Sequence, residues 1–208
     1  MSQKPLAIDL YCGLGGWTEG LLAEGYDVIG FDIERHVYGE HRYPAQLVVQ
    51  DVRTLHGSQF RNAALIVASP PCQAYSYRAM PWKRAKALPP PDNELFDACF
   101  RIQREACEAA GHHIPMVVEN VRGAQKWVGR SRWNFGSFHL WGDVPTLMPI
   151  GSHSKQPTAG IANSWFYGNY EGTARRWSSG SKERLQWTAQ IAKIPLPLAQ
   201  HIARVFKP

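Results

Sequence analysis

The chain has 208 residues, 44% hydrophobic and 19% charged, which suits one globular domain with a full core and excludes a disordered chain. A net charge of +6 with a pI near 9.3 points toward a polyanionic partner. Cys12, Cys72, Cys99 and Cys107 form no CxxC pair and no zinc spacing, the first residues hold no apolar leader, and no apolar run reaches the ~18 residues of a membrane span, so a cytoplasmic, metal-free protein is expected.

Leu6 to Tyr11 reads as a short strand running into Cys12-Gly13-Leu14-Gly15-Gly16 and a helix from Trp17 to Glu24, closed by Gly25. Strand, glycine loop and helix present backbone N–H groups and a helix N-terminus to a ligand. The glycines miss the dinucleotide fingerprint, because Thr18 stands where its third glycine belongs, and this disfavours a dinucleotide oxidoreductase. Val28 to Asp32 is a second strand, ending in a carboxylate 19 positions after Gly13, a spacing at which an acid meets ribose hydroxyls. Leu47 to Val52 is a third apolar unit and carries Asp51.

Ala63 to Ala68 is the fourth strand, stopped by Pro70 and Pro71, and Cys72 follows. A thiol just past the carboxyl end of a buried strand is placed as a nucleophile would be, although from this segment alone a buried structural cysteine explains it equally well. Tyr77 to Pro91 is a proline-rich basic loop with Arg78, Lys83, Arg84 and Lys86; a lid over a polyanion and a solvated loop both fit it. Asn93 to Ala110 carries an apolar stripe at helical spacing that includes Cys99 and Cys107, which assigns both to the core. Met116 to Val121 is the fifth strand, ending in Glu119 and Asn120. A further strand is expected around Phe138 to Trp141. Gly151 to Gly180 is polar and aromatic, with Trp165, Phe166, Tyr167, Tyr170 and Trp177, and Leu196 to Phe206 is a helix. Strands alternating with helices predict an α/β fold with a mostly parallel sheet covered on both faces.

Taken in order, these stretches resemble the cytosine-5 DNA methyltransferases. Asp9 to Gly16 is similar to the family's S-adenosylmethionine loop, Phe31-Asp32-Ile33 to the element that holds ribose and packs on adenine, and Asp51-Val52 to the adenine-amino motif. Pro70-Pro71-Cys72-Gln73 resembles the catalytic motif and Glu119-Asn120-Val121-Arg122-Gly123 the Glu-Asn-Val motif. Arg130-Ser131-Arg132 resembles the paired arginines, while Glu183 to Gln186 and Ile194-Pro195 resemble the late motifs. The resemblance implies a Rossmann-like methyltransferase fold in a single domain over 1–208. Within it, 133–182 would be a much reduced target-recognition region and 183–208 would return to the core. It assigns S-adenosylmethionine, leaving as S-adenosylhomocysteine, to Tyr11, Cys12, Gly13, Leu14, Gly15, Gly16, Asp32, Ile33, Asp51, Val52, Pro70 and Ile194. Ile191-Ala192-Lys193 replaces the Gly-Asn that usually precedes the last motif, which removes one polar contact to the cofactor.

The implied chemistry places Cys72 as the thiolate that adds to carbon 6 of cytosine and Glu119 as the acid at N3. Arg130 and Arg132 favour the thiolate, and Pro71, Gln73, Ser76, Asn120, Arg78, Lys83 and Arg84 hold the substrate. The base would be flipped out of DNA to reach them. The small recognition region keeps open RNA or a free nucleotide as acceptor, and a protein partner for target recognition. A non-catalytic nucleic-acid-binding partner of a full methyltransferase is disfavoured by the presence of both Cys72 and Glu119, which an adaptor does not need.

Overall fold

The computed structural model describes residues 3–76, 89–149, 178 and 181–208. Its centre is a seven-stranded sheet in the order β5-β2-β1-β6-β7-β9-β8. β1 (Leu6–Leu10), β2 (Asp27–Asp32), β5 (Gln46–Val49), β6 (Leu65–Ala68) and β7 (Met116–Asn120) run parallel, and β9 (Phe138–Gly142) and β8 (Trp133–Phe135) are added antiparallel at the β7 edge. A small hairpin, β3 (Val37–Tyr38) and β4 (His41–Arg42), stands outside the sheet.

The strands are apolar on both sides because helices cover both faces, and strict alternation sorts their side chains. Ala7, Leu65, Val67 and Val117 point to the face covered by α1 (Gly16–Ala23) and α5 (Leu196–Val205), with Trp17, Leu21, Leu198 and Ile202. Ile8, Ile66, Ala68 and Val118 point to the other face, where α2 (Glu94–Ala110) lays down Phe96, Cys99, Ile102 and Ala106. Ile66 and Ile102 are fully buried, and each such aliphatic side chain is worth roughly 1.5–3 kcal/mol. α2 ends where Gly111 takes a left-handed conformation, φ 72°, and its N–H donates the closing bond to the Cys107 carbonyl.

β1 lies between β2 and β6, so the strand order reverses there. Chain connections leave β1 in opposite directions and open a crevice at the carboxyl ends of the strands. This is the Rossmann-like arrangement of S-adenosylmethionine-dependent methyltransferases. The expected elements are present with shifted ends. The third strand stops at Val49, because Asp51 caps a 3₁₀ turn over Val52–Thr54 instead. The strand expected around Phe138 to Trp141 is β9, and β8 lies beside it at the edge of the sheet. α4 (Lys182–Ala192), with Ser181 accepting from the Arg184 N–H as its cap, occupies the stretch read only as a late motif. No helix among the described residues is long and apolar enough to cross a membrane.

Candidate active site

The carboxyl edge of the sheet collects polar groups from every parallel strand. After β1 the chain turns sharply. Tyr11 is the one non-glycine residue with positive φ (58°) among the described residues, and Gly13 and Gly15 follow at 51° and 77°. Gly15 sits at the cap of α1; the Cys12, Gly13 and Gly15 N–H groups donate to the Phe31 carbonyl, Asp32 and the Cys12 carbonyl, so it is the first turn of α1 that presents N–H groups to a ligand. The Tyr11 hydroxyl donates to the Leu95 carbonyl, tying the loop to α2. Cys12 and Leu14 are buried, and Ile194 backs the helix start. Burial pushes the Cys12 thiol well up, with Asp9 and Asp32 adding to it.

Asp32, at the end of β2, accepts the Gly13 N–H at 2.9 Å and the Ile33 N–H at 2.8 Å. Burial pushes its carboxyl up, but the His36 hydrogen bond and these two backbone donors outweigh burial and hold it below the usual range. Ile33 is 66% exposed, and Val49, which pairs with Asp32 in register, is 52% exposed. Two exposed aliphatics beside a carboxylate and the first turn of α1 suit a nucleoside, its flat ring on the aliphatics and its diol at the acid. Asp51 is engaged within its own turn. The Arg53 guanidinium spans both its oxygens and reaches on to Glu94, and the Arg53 hydrogen bonds hold Asp51 below its usual range. Val52 is buried in the core rather than lining the crevice.

Beneath the loop lies a polar cluster the sequence reading passed over. Thr18 donates to Asp9 Oδ2 at 2.6 Å and meets the Tyr43 hydroxyl at 2.6 Å, all three residues being buried. The Tyr43 ring fills the space a side chain at Gly30 would need, 2.3 Å from an ideal Cβ. Thr18 therefore replaces the glycine of a dinucleotide loop with a hydrogen-bonded strut.

The Cys72 loop leaves β6 and is held from several sides. Trp17 Nε1 donates to Ser69 Oγ at 3.0 Å, and Asn120 Nδ2 donates to the Pro70 carbonyl at 3.0 Å. The Cys72 carbonyl accepts from the Tyr75 N–H and from Ser76 Oγ. Tyr75 is buried and donates to Asn93 Oδ1. Gly123 packs its Cα on the Tyr75 carbonyl, which an added Cβ would meet at 2.1 Å. So Asn120 and Gly123, two residues of the Glu-Asn-Val stretch, fasten the loop of the neighbouring strand. Pro70 is buried, whereas Pro71 and Gln73 are exposed and Cys72 is half-buried. Glu119 is 4% exposed at the end of β7, the strand beside β6. Cys99 is sealed in the core with its thiol pushed well up by burial, and Cys107 accepts the Ile114 N–H. Among the four cysteines, Cys72 alone stands at the crevice.

Arg130 and Arg132 are exposed and make no ion pair among the described residues. Between them Ser131 bonds Gln125, at the start of α3 (Gln125–Val128), and His139 Nδ1 (2.9 Å), which anchors the pair beside β9. Arg78, Lys83 and Arg84 lie outside the described residues, as do Trp165, Phe166, Tyr167, Tyr170 and Trp177. No group of three or more potential metal ligands occurs among the described residues.

A sequence model of the family described as C-5 cytosine-specific DNA methylase matches residues 6–127, more than half of the chain and the whole crevice from the glycine loop to Glu119. The chain belongs to the C-5 cytosine-specific DNA methylase family. Among solved structures it is similar to one described as a DNA modification methyltransferase encoded within an E. coli prophage (25% identity, TM-score 0.42), covering 60% of this chain and 34% of that one. It is also similar to the Entamoeba histolytica methyltransferase EhMeth (16%, TM-score 0.46, covering 82% and 62%) and to the Dnmt2 methyltransferase of S. pombe (17%, TM-score 0.38, covering 60% and 36%). The chain thus spans about a third of the prophage and S. pombe proteins. No curated protein matches it.

Proposed function

We propose that this C-5 methylase transfers a methyl group from S-adenosylmethionine to carbon 5 of a cytosine flipped out of DNA, with Cys72 as covalent nucleophile. The observation that carries the reading is the fastening of the Cys72 loop by Asn120 and Gly123, which ties the position of the nucleophile to the strand end that carries Glu119. The glycine loop, Asp32 and the Ile33–Val49 surface hold the adenosine end. Bound there, S-adenosylmethionine supplies an electrophilic methyl group.

The Cys72 thiolate adds to carbon 6, forming a C–S bond. Glu119 donates its proton to N3, so the electron pair displaced from the 5,6 double bond collects at carbon 5. Carbon 5 takes the methyl group, then loses its proton to a base. The returning electron pair re-forms the double bond, expels the Cys72 thiolate and returns the N3 proton to Glu119. Arg130 and Arg132 provide positive charge for the phosphates of the acceptor.

The test is to incubate the chain with S-adenosylmethionine and, separately, duplex DNA, single-stranded DNA, RNA and deoxycytidylate, and to digest and weigh the products. 5-Methylcytosine in DNA supports the proposal. Product only in RNA or deoxycytidylate reassigns the acceptor. DNA binding without product on any acceptor favours an adaptor role.

A further inference from the structure

Asp32 carries a competitor that the proposed cofactor reading leaves unused. An ionised carboxylate has about four acceptor positions. Three are filled: Oδ2 takes the Gly13 N–H, and Oδ1 takes the Ile33 N–H and His36 Nε2 at 3.4 Å. A vicinal diol that donates one hydrogen to each carboxylate oxygen needs two positions. One remains, on Oδ2, and the other is the one His36 holds.

We propose that His36 is a cofactor-site residue, an imidazole latch that competes with the ribose diol for Oδ1 of Asp32 and makes cofactor binding weaken as the pH falls. The inference rests on the assignment of Asp32 to ribose. The geometry around His36 supplies the proton dependence. Nε2 faces Asp32, and Nδ1 lies 3.5 Å from Glu34 Oε1, so each ring nitrogen has a carboxylate and the doubly protonated ring satisfies both. Tyr38 stacks on the ring at 6.3 Å between centroids. Around this cluster lie Arg35, next in the chain, Arg42 and His41, which pair with Val37 and Tyr38 across the hairpin, and Lys182, which shares a pocket with Tyr38. The Asp32 hydrogen bond raises the His36 pKa above its ordinary value, burial opposes this, and the charges of Asp32 and Glu34 add to the rise. His36 therefore keeps its proton to a higher pH than an ordinary imidazole, and its hold on Oδ1 is strongest while the ring is charged. At higher pH the neutral ring still donates from Nε2 but yields more readily to a hydroxyl.

The experiment is calorimetric titration of the full chain with S-adenosylhomocysteine between about pH 6 and pH 8.5, for wild type and His36→Phe, with unfolding curves of both as a fold check. Wild type should bind about three- to tenfold more weakly at the acid end, a change within one pK unit of coupling. His36→Phe, which keeps an aromatic ring against Tyr38, should bind with the same affinity throughout and more tightly than wild type at the acid end. His36→Gln, folded by the same check, serves if the phenylalanine variant does not fold. A slope that survives in the variant, or a variant weaker at every pH, overturns the latch and leaves the cofactor assignment intact. Absence of any S-adenosylhomocysteine binding by wild type overturns the cofactor assignment, and the latch with it.

Discussion

Replacing Asp9 by asparagine should stabilise the fold at alkaline pH, and by less as the pH falls. Asp9 is 1% exposed under the glycine loop, and Oδ1 has no hydrogen-bond partner among the described residues. Burial pushes its carboxyl from an ordinary 3.8 up to about 7; the Thr18 hydrogen bond opposes this and the Asp32 charge adds to it. The folded value lies above the unfolded one, so the contribution of Asp9 is fully favourable below the unfolded value and is lost as the pH rises to the folded value. At about 1.4 kcal/mol per pK unit, the ionised carboxylate costs the folded state roughly 4 kcal/mol above neutrality and under 2 kcal/mol near pH 5. Asparagine still accepts from Thr18 and cannot ionise, although its amide N–H groups lack an acceptor, a cost of about 1–3 kcal/mol that does not depend on pH. Urea unfolding of both proteins near pH 5 and pH 8.5 should therefore show the variant gaining about 3 kcal/mol on wild type between the two. An unchanged difference would mean that Asp9 ionises in the fold as an ordinary carboxylate, and would refute the reasoning.

Other perturbations follow from the fastening of the Cys72 loop. Cys72→Ser should abolish methyl transfer, by several orders of magnitude in product formation, while shifting stability by no more than about 0.5 kcal/mol, because the side chain is half-buried and outside the core. Asn120→Ala removes the bond to the Pro70 carbonyl and the one from the Val121 N–H. It should cost about 1–3 kcal/mol in denaturant unfolding and, by loosening the nucleophile, at least about tenfold in kcat. Gly123→Ala forces a methyl group against the Tyr75 carbonyl, and thermal unfolding should register about 1–3 kcal/mol of strain with a parallel loss of activity. Normal turnover in the Asn120 and Gly123 variants would contradict the role given to that contact.

The parallel strands were legible because burial on both faces makes them plain apolar runs, as in Leu65–Ala68 and Met116–Val118, each followed by a polar residue that marks the carboxyl edge. That marking, together with the family's motif order, was enough to locate Cys72, Glu119 and Asp32. What stayed hidden depends on pairs that only folding brings together. The Asp9–Thr18–Tyr43 cluster joins β1, α1 and the segment before β5, and no local pattern announces it. The pairing of Asp51 with Arg53 is a two-residue contact whose geometry decides whether the acid faces outward or caps its own turn. His36 had a faint signal, a histidine four residues after a strand-end carboxylate. The β3–β4 hairpin has two-residue strands with no periodicity to read, and α4 presents a mostly polar surface, so its Ser181 cap was the remaining cue.

The central claim is a bond between Cys72 Sγ and carbon 6 of the target base. It is tested most directly with a DNA duplex carrying 5-fluorocytosine, whose carbon 5 cannot release a proton after methylation, so the thioether persists. Intact-mass analysis with S-adenosylmethionine present should show protein joined to DNA, peptide mapping should place the link at Cys72, and Cys72→Ser should show none. A link at another residue, or no link from a preparation that forms 5-methylcytosine on ordinary DNA, would contradict the account.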